Sequence, residues 1–311
     1  GSPTFIPRIR WVDSVAEAPA GPAYGYWGGG YNPSTVSTVS RLDFSSDSTA
    51  TTPKGNLSNA RHTLAATGNS THGYFGGGTP SSIVDRIDYA DDTATATPKG
   101  PLSLARGQFA ATGNNDFGYF AGGTPGGPYS TIDRIDYSND SATASPKGPL
   151  ANVIYYQTAT GNSNFGYFAG GGTGSPANTY VQRVDYSNDT ATASLKGNLY
   201  TKTRRSQASG NSNFGYVMGG DADNANAPIL TMVQRIDYSN DTATAVQKGD
   251  LDYGKFSAGG TGSDSFGYSG GGRIWPAIVS LMSRIDYSND TATGTAKGNL
   301  TNSIHSMGAV S

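Results

Sequence analysis

The chain of 311 residues contains no cysteine. Disulfides, thiolate metal centres and a cysteine nucleophile are excluded from the start. Glu17 is the only glutamate, so nearly all the acidity is Asp, which suits turns better than helices. Histidine occurs only at His62, His72 and His305. Charged residues make up 14% of the chain and the formal net charge is −2, so no basic surface for nucleic acid is expected. No apolar run is long enough to span a bilayer, and membrane insertion is not expected. Acid–base candidates are few, and neither a Gly-x-Ser-x-Gly elbow nor a phosphate-binding loop occurs. The chain reads as a non-enzyme without cofactor or metal.

What is present is repetition. The string RIDYSNDTATAVQKG, residues 235–249, recurs in near copies that start at Arg41, Arg86, Arg134, Arg183, Arg235 and Arg284, at spacings of 45, 48, 49, 52 and 49 residues. A second string, GYFGG or GYFAGG, precedes each copy, with its tyrosine at Tyr26, Tyr74, Tyr119, Tyr167, Tyr216 and Tyr268. A period of this size marks a repeat architecture. In the repeat of residues 61–100, RHTLAATG, GYFGGG, SIVDRIDY and TATATPKG read as four short strands, separated by Asn69-Ser70-Thr71, a glycine-rich loop and a tight turn at Asp91-Asp92. Four antiparallel strands in such a unit make a propeller blade. The expected fold is all-β, a six-bladed β-propeller of four-stranded antiparallel blades over residues 23–311.

The first repeat lacks an inner strand, and the C-terminal IHSMGAVS, residues 304–311, stands after Leu300 as RHTLAATG stands after Leu57. The C-terminal strand is therefore expected to complete the first blade and close the ring, removing two sheet edges. Residues 1–22 lie outside the repeat and read as an N-terminal linker or extra strand.

The Gly doublets (Gly76-Gly77, Gly122-Gly123 and their copies), the tyrosines Tyr89, Tyr137, Tyr186, Tyr238 and Tyr287, and the trailing Arg61 and Arg106 resemble the kelch repeat, although TATA stands where that repeat carries Trp. The wording YSNDTATAS-KGPLS is also similar to repeats in kelch-like structural proteins of marine cyanobacterial phages. That resemblance implies an extracellular, virion- or tail-associated protein that contacts a host surface.

The repeated residues read as scaffold. Arg-x-Asp pairs such as Arg86/Asp88 and Arg134/Asp136 suggest structural ion pairs between blades. Ser-Asn-Asp-Thr suggests an Asx-type turn rather than a calcium loop, whose alternating ligand spacing it lacks. His62 and His305 hold equivalent positions in adjacent blades and can approach one another at the channel mouth.

Strand alternation puts the uniform turns on one face of the disc. The loops between second and third strands, and the blade-to-blade connections, fall on the other, and these are the segments that vary, from TPSS to DADNANAPILT and from NARH to YTKTRR. Variation on one rim over a uniform scaffold suggests recognition. Candidate ligand-binding residues on this face are His62, Tyr129, Tyr155, Tyr156, Tyr180 and Trp275, together with Arg61, Arg106, Arg204, Arg205 and Lys255. The last five are expected to ring the mouth and favour an acidic sugar, the alternative being that they pair with Asp221, Asp223 or Asp252. The loop of residues 273–282 (RIWPAIVSLM) is strongly apolar and suggests contact with another virion protein. The expected function is recognition of a host-surface glycan or protein receptor. A structural virion propeller without a glycan site, and more remotely a sugar-processing enzyme such as a mutarotase, are the alternatives.

Overall fold

A computed structural model gives the fold of residues 23–174, 176–222 and 228–311. The expected linker of residues 1–22 and the candidate partner Asp223 lie outside the described residues. Six four-stranded antiparallel sheets form the blades. In the second blade the strands are Ala65–Gly68, His72–Gly76, Val84–Asp88 and Thr97–Pro98, in spatial order from inner to outer. The first blade takes its inner strand from the C-terminus: Gly308–Val310 pairs with Tyr24–Gly28 in the register Tyr26–Val310, Trp27–Ala309, Gly28–Gly308. Closure is thus as the sequence implies.

The outer strand differs from expectation. Its paired part is short, and TATA lies outside it. The expected tight turn at Asp91-Asp92 is a single turn of 3-10 helix, Tyr89–Asp91, whose N-cap Asp88 accepts from the Ala90 N–H. Each blade repeats this cap, as in Asp136 accepting from Ser138 N–H and hydroxyl.

The repeated string is explained at the blade interfaces. The Arg of one blade pairs with the Asp of the Ser-Asn-Asp turn in the next: Arg41–Asp92, Arg86–Asp140, Arg134–Asp189, Arg183–Asp241, Arg235–Asp290 and, across the closure, Arg284–Asp47, at 2.7–2.8 Å. This corrects the expected Arg86/Asp88 type of pairing, since Asp88 and its copies are committed to capping. The same aspartates accept from Lys54, Lys99 and their copies and from the GYF tyrosine hydroxyls, as in Tyr74 to Asp140 at 2.9 Å. Although burial pushes the other way, Lys99, Tyr74 and Arg86 hold the Asp140 carboxyl below its ordinary range.

The GYF tyrosines also stack on the next blade's tyrosine (Tyr74 on Tyr137, centroids 4.6 Å apart), and Phe44 takes that role against Tyr268 at the closure. His72 occupies the slot that holds Tyr24, Phe117, Phe165, Phe214 or Phe266 in the other blades, where each ring lies under the interface arginine. The glycine of each Lys-Gly sits against the next blade: the Gly100 N–H donates to Asp140 O, and a Cβ there would collide with the Ala142 carbonyl oxygen. The apolar core follows the same plan, lying between blades rather than within them, as in the cluster of Tyr26, Val39, Leu57, Leu64, Phe75, Ile87 and Val310.

Candidate functional site

The face that carries the variable loops narrows to a girdle at the channel. Thr63, Gln108, Tyr156, Arg205, Ser257 and Ser306 occupy equivalent places just before the inner strands, and all have left-handed backbones with φ of 52–59°. Their backbones bond in a closed circle, each N–H donating to the carbonyl of the girdle residue one blade back, from Gln108 to Thr63 round to Thr63 to Ser306, at 2.7–2.9 Å. Only a void of about 70 Å³ remains at the centre. The side chains of the girdle are uneven: Gln108, Tyr156 and Arg205 on one arc, small hydroxyls on the other.

Around this girdle the candidate residues separate into two groups. Arg61, Arg106 and Lys255 do not ring the mouth. They are buried, and each reaches under its own blade. Arg61 pairs with Asp85 and Arg106 with Asp133, both at 2.7 Å, and each donates a second hydrogen bond to the backbone of the neighbouring strand, at Phe75 O and Phe120 O. Lys255 takes the same path in the sixth blade, where Ser283 replaces the aspartate, and donates instead to Ser269 O and Leu281 O. The reason is the geometry of the connection, which turns this position inward toward the third strand. Burial, opposed by Asp252, pushes the Lys255 ammonium down to about 7. Arg204 is nearly buried, with its Nε on Asp221 Oδ1 at 2.8 Å.

Arg205 is placed at the mouth. Its Nε bonds the other Asp221 oxygen at 2.6 Å, and its guanidinium lies 4.6 Å from the Phe256 centroid and 5.6 Å from that of Tyr156. Arg273, which the sequence reading used only as a loop boundary, lies 5.9 Å from the same Phe256 ring and 4.8 Å from Trp275. His62 and His305 do come together, on either side of Tyr31 at 5.6 and 5.5 Å between ring centroids. Burial first, then Arg273, His62 and Arg205, push the His305 imidazole down to about 4. Tyr155 packs on Tyr156 with centroids 5.0 Å apart, while the Tyr129 hydroxyl donates to Pro125 O. Tyr180 stands exposed in the fourth blade. Among the described residues no three His, Asp or Glu side chains cluster as metal ligands do.

Residues 273–282 are not a plain loop. Arg273–Ile274 and Ala277–Ile278 form a two-stranded hairpin off the sixth blade, with Trp275 55% exposed at its tip and Met282 buried at its base.

A wider cavity of about 690 Å³ opens on the opposite, uniform face, lined by Tyr24, Tyr26, Asn69, Asn114, Ser163 and Ser311 among others. Several of its polar groups already serve the scaffold: the Asn69 and Asn114 carboxamide oxygens accept backbone N–H groups of their own turns, and the Tyr26 hydroxyl donates to Asp92, while the buried Tyr89 hydroxyl has no partner among the described residues. The variable face is the better candidate for recognition on that ground.

No protein-family model matches the chain, and no curated protein matches it. Among solved structures it is similar to the one titled "Structure of YjhT", with a TM-score of 0.70 at 10% identity over 83% of this chain and 89% of that one. At that identity the likeness shows the fold alone. The fold is a six-bladed β-propeller, an architecture that leaves function to be argued from the site.

Proposed function

We propose that the chain is a non-catalytic binding propeller that recognises a surface glycan or receptor through its variable face. One observation carries this reading: the five exposed large aromatics among the described residues, Tyr31, Tyr180, Tyr200, Tyr253 and Trp275, all stand on loops or connections of that face. Exposed aromatics on a fixed scaffold supply contact area at low entropic cost, and partners bury them. The similarity of the repeat wording to phage structural proteins supports a virion setting, outside the cell. A glycan array with the purified chain tests the reading, run beside a Tyr180→Ala/Tyr200→Ala/Tyr253→Ala variant. Glycan binding that the variant loses supports it; silence on every glycan counts against the glycan arm. A second reading, a structural virion propeller held by protein contacts, is favoured by the hairpin of residues 273–278, whose tip Trp275, Pro276 and Ala277 are exposed. A partner burying well over ~1,000 Å² on that hairpin would support it.

A further inference from the structure

We infer that the arc of the mouth formed by Arg205, Phe256, Arg273 and Trp275 is a subsite for a carboxylate-bearing sugar ring, of the uronate kind. This rests on the binding role proposed for the variable face and names its ligand class. The argument begins with charge. Three guanidiniums, of Arg204, Arg205 and Arg273, gather here, and Asp221 is the carboxylate that pairs with them, through Arg204 and Arg205. Arg273 has no ion-pair partner among the described residues, and its buried Nε has no hydrogen-bond partner there either. Both Arg205 and Arg273 lie against one ring, Phe256, so two cations share an apolar wall, and among the described residues Asp221 is the one carboxylate ion-paired with this group of three. Like charges held beside an apolar wall are relieved by an anion between them, and a guanidinium fork suits a planar carboxylate.

The second part is shape. The backbones of Phe256 and Arg273 are tied by reciprocal hydrogen bonds, Arg273 N–H to Phe256 O at 2.9 Å and Phe256 N–H to Arg273 O at 3.2 Å. This fixes the guanidinium where the hairpin leaves the blade. Trp275 then presents an exposed indole beside it, 4.8 Å from ring centroid to guanidinium. A sugar ring lays its C–H face on an indole while a carboxylate at its edge reaches the guanidinium. Burial first depresses the nearby His305 imidazole, the positive field of Arg273 and Arg205 adds to it, and its Nδ1 is engaged by the Ser306 hydroxyl at 2.8 Å.

The test uses the whole chain and titration calorimetry with three probes: a short oligomannuronate, a neutral glucose oligomer of the same length, and polyaspartate. The variants are Arg273→Gln, Trp275→Ala and, on the exposed outer strand of the fourth blade, Leu195→Ala, with thermal melts checking that each is folded. The expected result is binding of the oligomannuronate alone, weakened roughly tenfold or more by Arg273→Gln and by Trp275→Ala and unchanged by Leu195→Ala. Equal oligomannuronate affinity in Arg273→Gln overturns the inference. So does equal binding of the neutral oligomer. Polyaspartate binding with the same dependence on Arg273 and Trp275 overturns the sugar class and makes an acidic peptide the ligand. If no oligomannuronate binds while glycan-array signals sensitive to the tyrosine variant remain, the uronate subsite fails and the proposed function stands. If those signals are absent too, both fail.

Discussion

On the uniform face, Asn69, Asn114, Asn162 and Asn211 each turn the carboxamide oxygen onto two backbone N–H groups of their own turn. Just inside that face, Asp47, Asp92, Asp140 and their copies each accept from an Arg, a Lys and a Tyr. On the variable face, the buried Nε–H of Arg273 has no hydrogen-bond partner among the described residues, and Tyr31, Tyr180, Tyr200, Tyr253 and Trp275 project into solvent. The pairing of the uniform side is extensive but not total, since the buried Nε of Arg41, Arg134 and Arg183 and the Tyr89 and Tyr287 hydroxyls there also lack hydrogen-bond partners among the described residues. The same strands thus end in a face whose arginines are all ion-paired and a face that exposes aromatics beside an arginine with no ion pair among the described residues. Substitutions should follow that division: large losses of stability where polar groups close on each other, and little loss where they do not.

The largest effect is expected beneath the connections. Arg106 and Asp133 are both fully buried, so Asp133→Ala leaves a buried guanidinium and should cost about 3–5 kcal/mol in chemical denaturation. The fourth blade carries Ile154 and Gln182 at the corresponding places, with Gln182 accepting from the Asn152 N–H. Arg106→Ile/Asp133→Gln should therefore recover most of that loss. A single-variant loss below about 1 kcal/mol would break the claim that this pair underpins its blade.

Next comes the blade interface. Gly100→Ala forces a methyl into the Ala142 carbonyl, and neither backbone can retreat without opening the Gly100 N–H to Asp140 O bond; about 2–3 kcal/mol is expected. No positive φ is involved at Gly100, so the loss would measure close approach alone. An unchanged melting temperature would show that the interface yields.

The six-fold ring, the closing strand and the role of the repeated string as scaffold were readable from the sequence, because a strict period fixes which strand follows which. The partner of the interface arginine was not. Arg86 and Asp88 are neighbours in sequence, but Asp140, which receives Arg86, lies one repeat ahead, and a periodic string cannot say whether a pair forms within a copy or between copies. The buried cations were misread for a related reason: a charged residue in a connection looks exposed. A signal was nevertheless present. Where the connection carries Arg61 or Arg106, the third strand carries Asp85 or Asp133; where it carries Ile154 or Ile304, Gln182 or Ser40 appears. The left-handed girdle left no trace, since Thr63, Gln108, Tyr156, Arg205, Ser257 and Ser306 are of five residue types and none is glycine. Arg273 was missed because its importance comes from Phe256, which is distant in the loop order but tied to it through the backbone.

A smaller effect, dependent on pH, sharpens the contrast among the buried cations. Lys255 lacks the aspartate that Arg61 and Arg106 enjoy, and burial pushes it from 10.5 down to about 7. Between those values the unfolded chain holds the proton and the folded chain releases it, so stability rises with pH across that window. From pH 7 to 9 the native chain should gain stability relative to Lys255→Met by at most about 1.4 kcal/mol per pH unit. Parallel curves for the two proteins would show that Lys255 stays charged in its pocket. A Ser283→Asp change, which supplies the missing carboxylate, should flatten the native curve toward that of the variant.

The smallest effect on stability belongs to the open face, and its smallness is the point. Trp275 is 55% exposed at a hairpin tip, and its ring meets the Arg273 guanidinium. An exposed cation–π contact contributes about 0.5–1 kcal/mol at most, and surface changes away from the core stay near ±0.5 kcal/mol. Trp275→Ala should therefore leave the melt within that range while any partner affinity carried by the variable face falls. On the proposed reading the indole at the tip of this hairpin serves a partner rather than the fold. If Trp275→Ala instead costs more than about 2 kcal/mol, the hairpin is part of the scaffold, and the contrast between the closed face and the open one does not extend to it.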